Sequence, residues 1–255
     1  MFFFEHVLMR LEKSDYRNNI ILKGGVLLSS IIGEDLRTTK DLDATLKSLP
    51  LNEETIRNMF NNILNIDIND NVTFEIESIK DIRSDDEYGG FRINVKGVFD
   101  KIRTNFFIEI TTGDIITPKE IKYKYNSIFE DKKINILAYN LETILAEKFN
   151  SIISRNIVNT RAKDFYDIYM ITYNFRDNIN ETNLYNAIKN TFLKRNTVFD
   201  IPEFKEIIEI IDSSDTLRKV YIDYQEKLEY TKHVSFDDAL KSINEIIAIL
   251  ENISD

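Results

Sequence analysis

Cysteine is absent from the 255 residues, so the chain has no disulfide framework, no zinc knuckle and no thiol nucleophile. No apolar stretch approaches the roughly 20 residues that cross a bilayer. Met1-Phe2-Phe3-Phe4 starts apolar, but Glu5, His6 and Arg10 interrupt it before a signal-peptide core can form. A cytoplasmic protein with no membrane partner is expected. Basic residues are outnumbered: the net charge of -10 argues against a surface built wholesale to neutralise nucleic-acid phosphates. Any RNA contact would use a local basic patch. The chain also lacks a G-x-x-x-x-G-K-S/T loop, the protein-kinase signature set and a serine elbow, which excludes the common ATPase, kinase and hydrolase motifs. There is no internal repeat or low-complexity tract, and neither His6 nor His233 has a visible partner.

Glycine is scarce and unevenly placed. All seven fall between Gly24 and Gly113. Glycine marks turns, bulges and close backbone approaches, so the front of the chain is expected to be mixed α/β and the glycine-free back to be helical. With 43% hydrophobic side chains the chain can bury one large core or two modest ones. The expected class is α+β, with an α/β domain over 1–135 and an α-helical domain over 136–255. The boundary falls in the segment from Pro118 to Asn140, where Pro118 and the basic run Lys119 to Lys124 read as a connector.

Patterning predicts a helix over 2–11, a strand over 19–22, a helix over 26–32 and a strand over 41–45. Ile56, Met59, Phe60, Ile63 and Leu64 fall at helical spacing within 52–65. Strand-like runs follow at 72–79, 91–98 and 105–111, with Gly89-Gly90 as a hairpin signal between the first two. In the back part, helices are predicted over 141–154 and 161–173. Ser235 can cap a last helix, with Asp238 close to the capping-box position and Phe236, Leu240, Ile243, Ile247 and Leu250 as its apolar stripe.

The most informative feature is Lys23-Gly24-Gly25 followed by Asp41-Leu42-Asp43. Two glycines let a backbone turn approach a phosphate closely. Carboxylates at i and i+2 on a strand share a face, where they can hold Mg²⁺ together with substrate phosphates. Alone, the diglycine is an ordinary strand-to-helix turn and the acids an ordinary strand end. In this order, with a helix between them, they point to phosphoryl or nucleotidyl transfer.

Glu109 adds a third carboxylate within Phe106-Phe107-Ile108-Glu109-Ile110, where burial would demand a partner such as a metal ion. A water-facing edge-strand Glu is the alternative. Lys148 lies within the inward stripe of its helix, and Asp164 is similarly placed on the next, so the two can pair or serve a nucleotide phosphate. Spacing alone favours a snorkelling Lys and a solvent-facing Asp. Arg155, Arg161 and Lys163 cluster between those helices.

These segments resemble a known family. Ile21 to Leu28, Arg37 to Asp43, Leu145-Ala146-Glu147-Lys148-Phe149 and Arg161 to Asp167 are similar, in order, to motifs of the AbiEii/AbiGii nucleotidyltransferase toxins of abortive-infection and type IV toxin–antitoxin systems. The resemblance implies a polymerase-β-like nucleotidyltransferase fold followed by a helical domain. It implies Asp41 and Asp43 as ligands of Mg²⁺ or Mn²⁺, with Glu109 standing where Asp is more usual. Lys23, Gly24, Gly25 and Arg37 would lie beside the triphosphate, Lys148 would contact phosphates, and Asp164 would be a further essential acid. The implied reaction transfers NMP from an NTP to an acceptor such as the 3′ end of tRNA, arresting growth or aborting phage infection, with a cognate antitoxin encoded nearby. Two alternatives stand beside it: the same chemistry on a protein or small molecule, and an inactive nucleotide-sensing or partner-binding module.

Overall fold

A computed structural model describes residues 1–36, 39–82 and 89–254. They contain seven strands and nine α-helices. The chain divides into two compact units, Met1–Asp114 with Glu120–Tyr139, and Ile115–Lys119 with Asn140 onward.

The first unit runs α1 (Phe2–Lys13), β1 (Ile20–Lys23), α2 (Gly24–Ile32), β2 (Asp41–Leu46), α3 (Glu53–Leu64), β3 (Val72–Ile82), β4 (Gly90–Phe99), β5 (Ile102–Thr112), β6 (Ile121–Asn126) and β7 (Lys133–Ala138). The strands form one mixed sheet in the order β3-β4-β5-β2-β1-β7-β6. β2 pairs parallel with β5, and β1 parallel with β7; the other neighbours are antiparallel.

Strand alternation divides the sheet into an apolar and a polar face. Leu42, Ala44, Ile93, Val95, Ile108 and Ile110 are all buried. Val7, Leu8 and Leu11 of α1 and Phe60 and Ile63 of α3 converge with Ile20, Leu22, Leu42 and Ile110 on that side. α3 buries the five apolar residues its spacing predicts, and Asn52 caps it by accepting the Thr55 N–H at 2.8 Å. The residues between, including Asp41, Asp43 and Glu109, fall on the opposite face.

α1 also buries charge. Arg10 donates to both oxygens of Asp70, at 2.6 and 2.9 Å, and to the Val72 carbonyl at 2.8 Å, while His6 Nδ1 lies 2.6 Å from Asp70. His6 thus has a partner that no local pattern reveals. Burial acts to raise the Asp70 pKa, but Arg10, the Val72 N–H and His6 outweigh it and hold the carboxyl at about 2. Because its folded pKa lies below the unfolded value of about 3.9, its stabilisation is complete above about pH 4 and is lost as pH falls toward 2. Melting temperature followed across this range is expected to fall steeply, and less steeply in Asp70→Asn.

Two strands stand where a connector is expected. Residues 118–140 contain β6 and β7, and β7 is an interior strand beside β1. Ile134, Ile136 and Ala138 alternate as buried residues along β7, and Tyr125 is buried on β6 while its lysines face outward. The lysines suit a sheet edge rather than a linker. β3 and β4 pair as predicted, with Gly90 opening β4; residues 83–88 lie outside the described residues.

The second unit contains α4 (Leu141–Arg155), α5 (Ala162–Phe175), α6 (Glu181–Lys194), α7 (Ile201–Asp212), α8 (Asp215–Lys227) and α9 (Phe236–Ser254). Phe149, Phe192 and Phe204 meet in its core at ring separations of 5.0 to 6.0 Å. The capping box forms: Asp238 N–H donates to Ser235 Oγ at 3.1 Å, and Ser235 N–H donates to the Asp238 carboxylate at 3.2 Å. All five residues of the predicted α9 stripe are buried. Among the described residues no helix is long and apolar enough to cross a membrane.

Candidate functional site

β1 ends at Lys23 and the chain enters α2 through Gly24, whose φ of 65° lies in the left-handed region. A Cβ on Gly24 would meet Asp43 Oδ2 at 2.1 Å, and one on Gly25 would meet Thr39 Oγ1 at 2.3 Å. The Gly25 N–H donates to Asp43 Oδ2 at 3.4 Å, a long bond. The diglycine therefore lets the carboxylate of β2 lie against the start of α2. Alanine at 24 must displace that carboxylate and also adopt a backbone costing roughly 1–2 kcal/mol for a residue with a Cβ. Gly24→Ala is expected to lower both melting temperature and any activity that depends on Asp43, checked by thermal melting beside a turnover assay.

Lys23, Asp43, Glu109 and Arg92 are successive direct partners across β1, β2, β5 and β4. Residues in register share a face, so these four charges make one row. Asp41 lies two residues before Asp43 on that face, opposite Phe107. Arg92 Nε donates to Glu109 Oε1 at 2.8 Å and Nη2 donates to the same oxygen. Among the described residues Glu109 Oε2 has no hydrogen bond. Lys23 Nζ donates to Asp114 Oδ2 at 2.6 Å and to Thr111 Oγ1 at 2.8 Å. Burial would raise the Asp114 pKa, but the Lys23 ammonium and hydrogen bonds hold it at about 2.

Asp43 is pushed the other way. Burial, then the negative charges of Glu109 and Asp41, raise its pKa, although Lys23 and the Gly25 N–H oppose them. With Asp41 on the same face and Asp114 bonded to Lys23, this row of two cations and two carboxylates sits in a net negative cluster. Among the described residues no group of three His, Cys, Asp or Glu side chains is arranged to hold a metal ion. Asp41 and Asp43 fit a divalent cation as a same-face pair with uncompensated charge. Glu109 is turned toward Arg92.

The second unit holds its own charged cluster. Lys148 Nζ of α4 donates to Asp167 Oδ2 at 2.5 Å and to Asp164 Oδ1 at 3.2 Å. Both carboxylates are on α5 and their side chains are 0% exposed. Ser151 Oγ donates to Asp164 at 3.1 Å, and Arg161 Nε lies 2.8 Å from it. Burial alone would raise the Asp164 pKa; Lys148 and Arg161 outweigh it and the net shift is downward. Asp164 is therefore an inward, paired acid, not the solvent-facing one that spacing favours. Asp167 was missed as a partner. Its i+3 spacing from Asp164 puts both on one helix face, which is the signal that could have found it.

A family model described as nucleotidyl transferase AbiEii toxin, type IV toxin–antitoxin system, matches residues 6–242. The chain belongs to the AbiEii family. Two solved structures share the fold. JHP933 from Helicobacter pylori aligns with a TM-score of 0.50 at 14% identity, covering 98% of this chain and 91% of that one. A protein from H. pylori described as a nucleotidyltransferase aligns with a TM-score of 0.51 at 15% identity, covering 98% of this chain and 94% of the other. No curated protein matches.

In this AbiEii chain the first unit brings together Lys23, Gly24, Gly25, Asp41, Asp43 and Glu109. Lys148 and Asp164 pair within the second unit. Arg37 lies outside the described residues.

Proposed function

We propose that this AbiEii protein is a polymerase-β-like, metal-dependent nucleotidyltransferase that moves NMP from an NTP to the 3′ end of tRNA. The observation that carries this is the Asp43 carboxylate lying against the diglycine turn, with Asp41 on the same face. Asp41 and Asp43 would hold Mg²⁺ or Mn²⁺, which would neutralise charge on the triphosphate. Lys23 supplies no side-chain cap to α2, and the Gly25 N–H is held only by its 3.4 Å bond to Asp43, so phosphate oxygens would compete for the N–H groups of this turn.

The acceptor oxygen bonds to the α-phosphorus as the bond to pyrophosphate breaks. We assign the hydroxyl proton to Glu109 Oε2, the oxygen that Arg92 leaves open. That role replaces a third metal ligand, because Arg92 already orients this carboxylate. Lys23, fixed by Asp114, keeps a positive charge beside Asp43. Lys148 and Asp164 take the phosphate-contact and further-acid roles implied by the family pattern. As a type IV toxin, the protein would have an antitoxin partner encoded nearby.

A second acceptor class, a protein side chain or small molecule, is favoured by the net charge of -10. The test incubates the pure protein with each labelled NTP, Mg²⁺ or Mn²⁺, and total tRNA, beside Asp43→Ala. Label in tRNA with the parent and none with the variant supports the proposal. Label only in protein or a small molecule selects the second acceptor class, and no movement of label under any condition refutes transfer.

A further inference from the structure

On the face of β4 and β5 that carries Glu109, the apolar side chains are the half-buried Val98 and Phe107, which is 38% exposed. Its chain neighbours Phe106 and Ile108 point the other way and are buried. Single exposed apolar side chains are ordinary, so exposure alone says little. Two further facts set Phe107 apart. It is the direct strand partner of Asp41, and the Arg92 guanidinium lies 5.4 Å from its ring centroid while bonded to Glu109. The Glu109 carboxylate anchors Arg92 beside the ring. The result is an accessible aromatic and guanidinium pair next to the carboxylates, and both groups stack on unpaired nucleobases.

Position selects which base would use it. Across the sheet the order is Arg92 on β4, Glu109 and Phe107 on β5, Asp43 and Asp41 on β2, then Lys23 and the diglycine turn. The carboxylate pair lies between the turn and Phe107. In-line displacement at phosphorus places the attacking and leaving oxygens on opposite sides. With the triphosphate at the diglycine turn, the acceptor approaches from the Phe107 side.

We propose that Phe107, braced by Arg92, is the stacking platform for the terminal base of a single-stranded nucleic-acid acceptor. This deepens the nucleotidyl-transfer reading and rests on it. It also states where an acidic protein meets its acceptor: by base stacking at one point, without a broad basic surface.

The chain has no tryptophan, so Phe107→Trp installs a sole indole reporter. Short single-stranded RNA ending in adenosine is titrated against this variant, beside the same RNA with an abasic 3′ end. Quenching by the first, with affinity for the abasic RNA lower by about tenfold, is expected. In steady-state transfer, Phe107→Ala should raise KM for the acceptor by about tenfold and leave KM for NTP unchanged, while Phe107→Tyr retains the parental acceptor KM. Equal response to the abasic RNA, or none, overturns the platform. A rise in KM for NTP alone also overturns it, because the ring would then serve the incoming nucleotide. Should the parent transfer no label at all, the transfer reading fails, and the fluorescence titration still decides the platform.

Discussion

Asp43→Asn is expected to lower kcat by about 10²- to 10³-fold or more, the scale of losing one preorganised charge-stabilising group, while leaving the fold as stable as the parent or more so. The stability half follows from the direction of the pKa shift. Asp43 is raised by burial, Glu109 and Asp41, so the folded protein holds this proton more tightly than the unfolded chain. The resulting cost is present above the folded pKa and vanishes as pH falls below the unfolded value. Asparagine removes the charge at neutral pH and keeps an oxygen for the Gly25 N–H. Rate and melting temperature measured together check this. A variant that loses both would mean Asp43 is a structural residue.

Lys148→Met is expected to be among the most destabilising single changes in the second unit. It strips the ammonium from Asp164 and Asp167, both fully buried. Removing one partner of a buried ion pair costs about 3–5 kcal/mol, because the remaining charge has no solvent to turn to. Arg161 and Ser151 stay on Asp164 and offset part of that loss. Urea unfolding should show the loss, and adding Asp167→Asn should recover part of it. The deficit should also shrink in acid, where Asp164, no longer held charged by Lys148, takes up a proton. A shift below about 0.5 kcal/mol, the range of an ordinary surface substitution, would contradict this account.

Much of the first unit was legible because its signals are local. The diglycine turn, the Asp41/Asp43 alternation and the α3 stripe each follow from short-range periodicity, and each appears in the structure. β6 and β7 were missed since lysines at alternate positions mask an edge-strand pattern as a basic linker. The partners that decide charge balance are long-range: Lys23 with Asp114, Glu109 with Arg92, His6 with Asp70. Strand register creates these pairs, and register is not written in any single segment. Lys148 and Asp164 were within reach, but spacing could not say whether the acid faced in or out.

The most direct measurement follows the position of the label. With NTP labelled at the α-phosphorus the acceptor should become radioactive, and with the γ-phosphorus labelled the counts should leave as pyrophosphate, both abolished in Asp41→Ala. Transfer of the γ-label to the acceptor, or α-label transfer that persists in Asp41→Ala, would contradict a nucleotidyl centre built on the carboxylate pair.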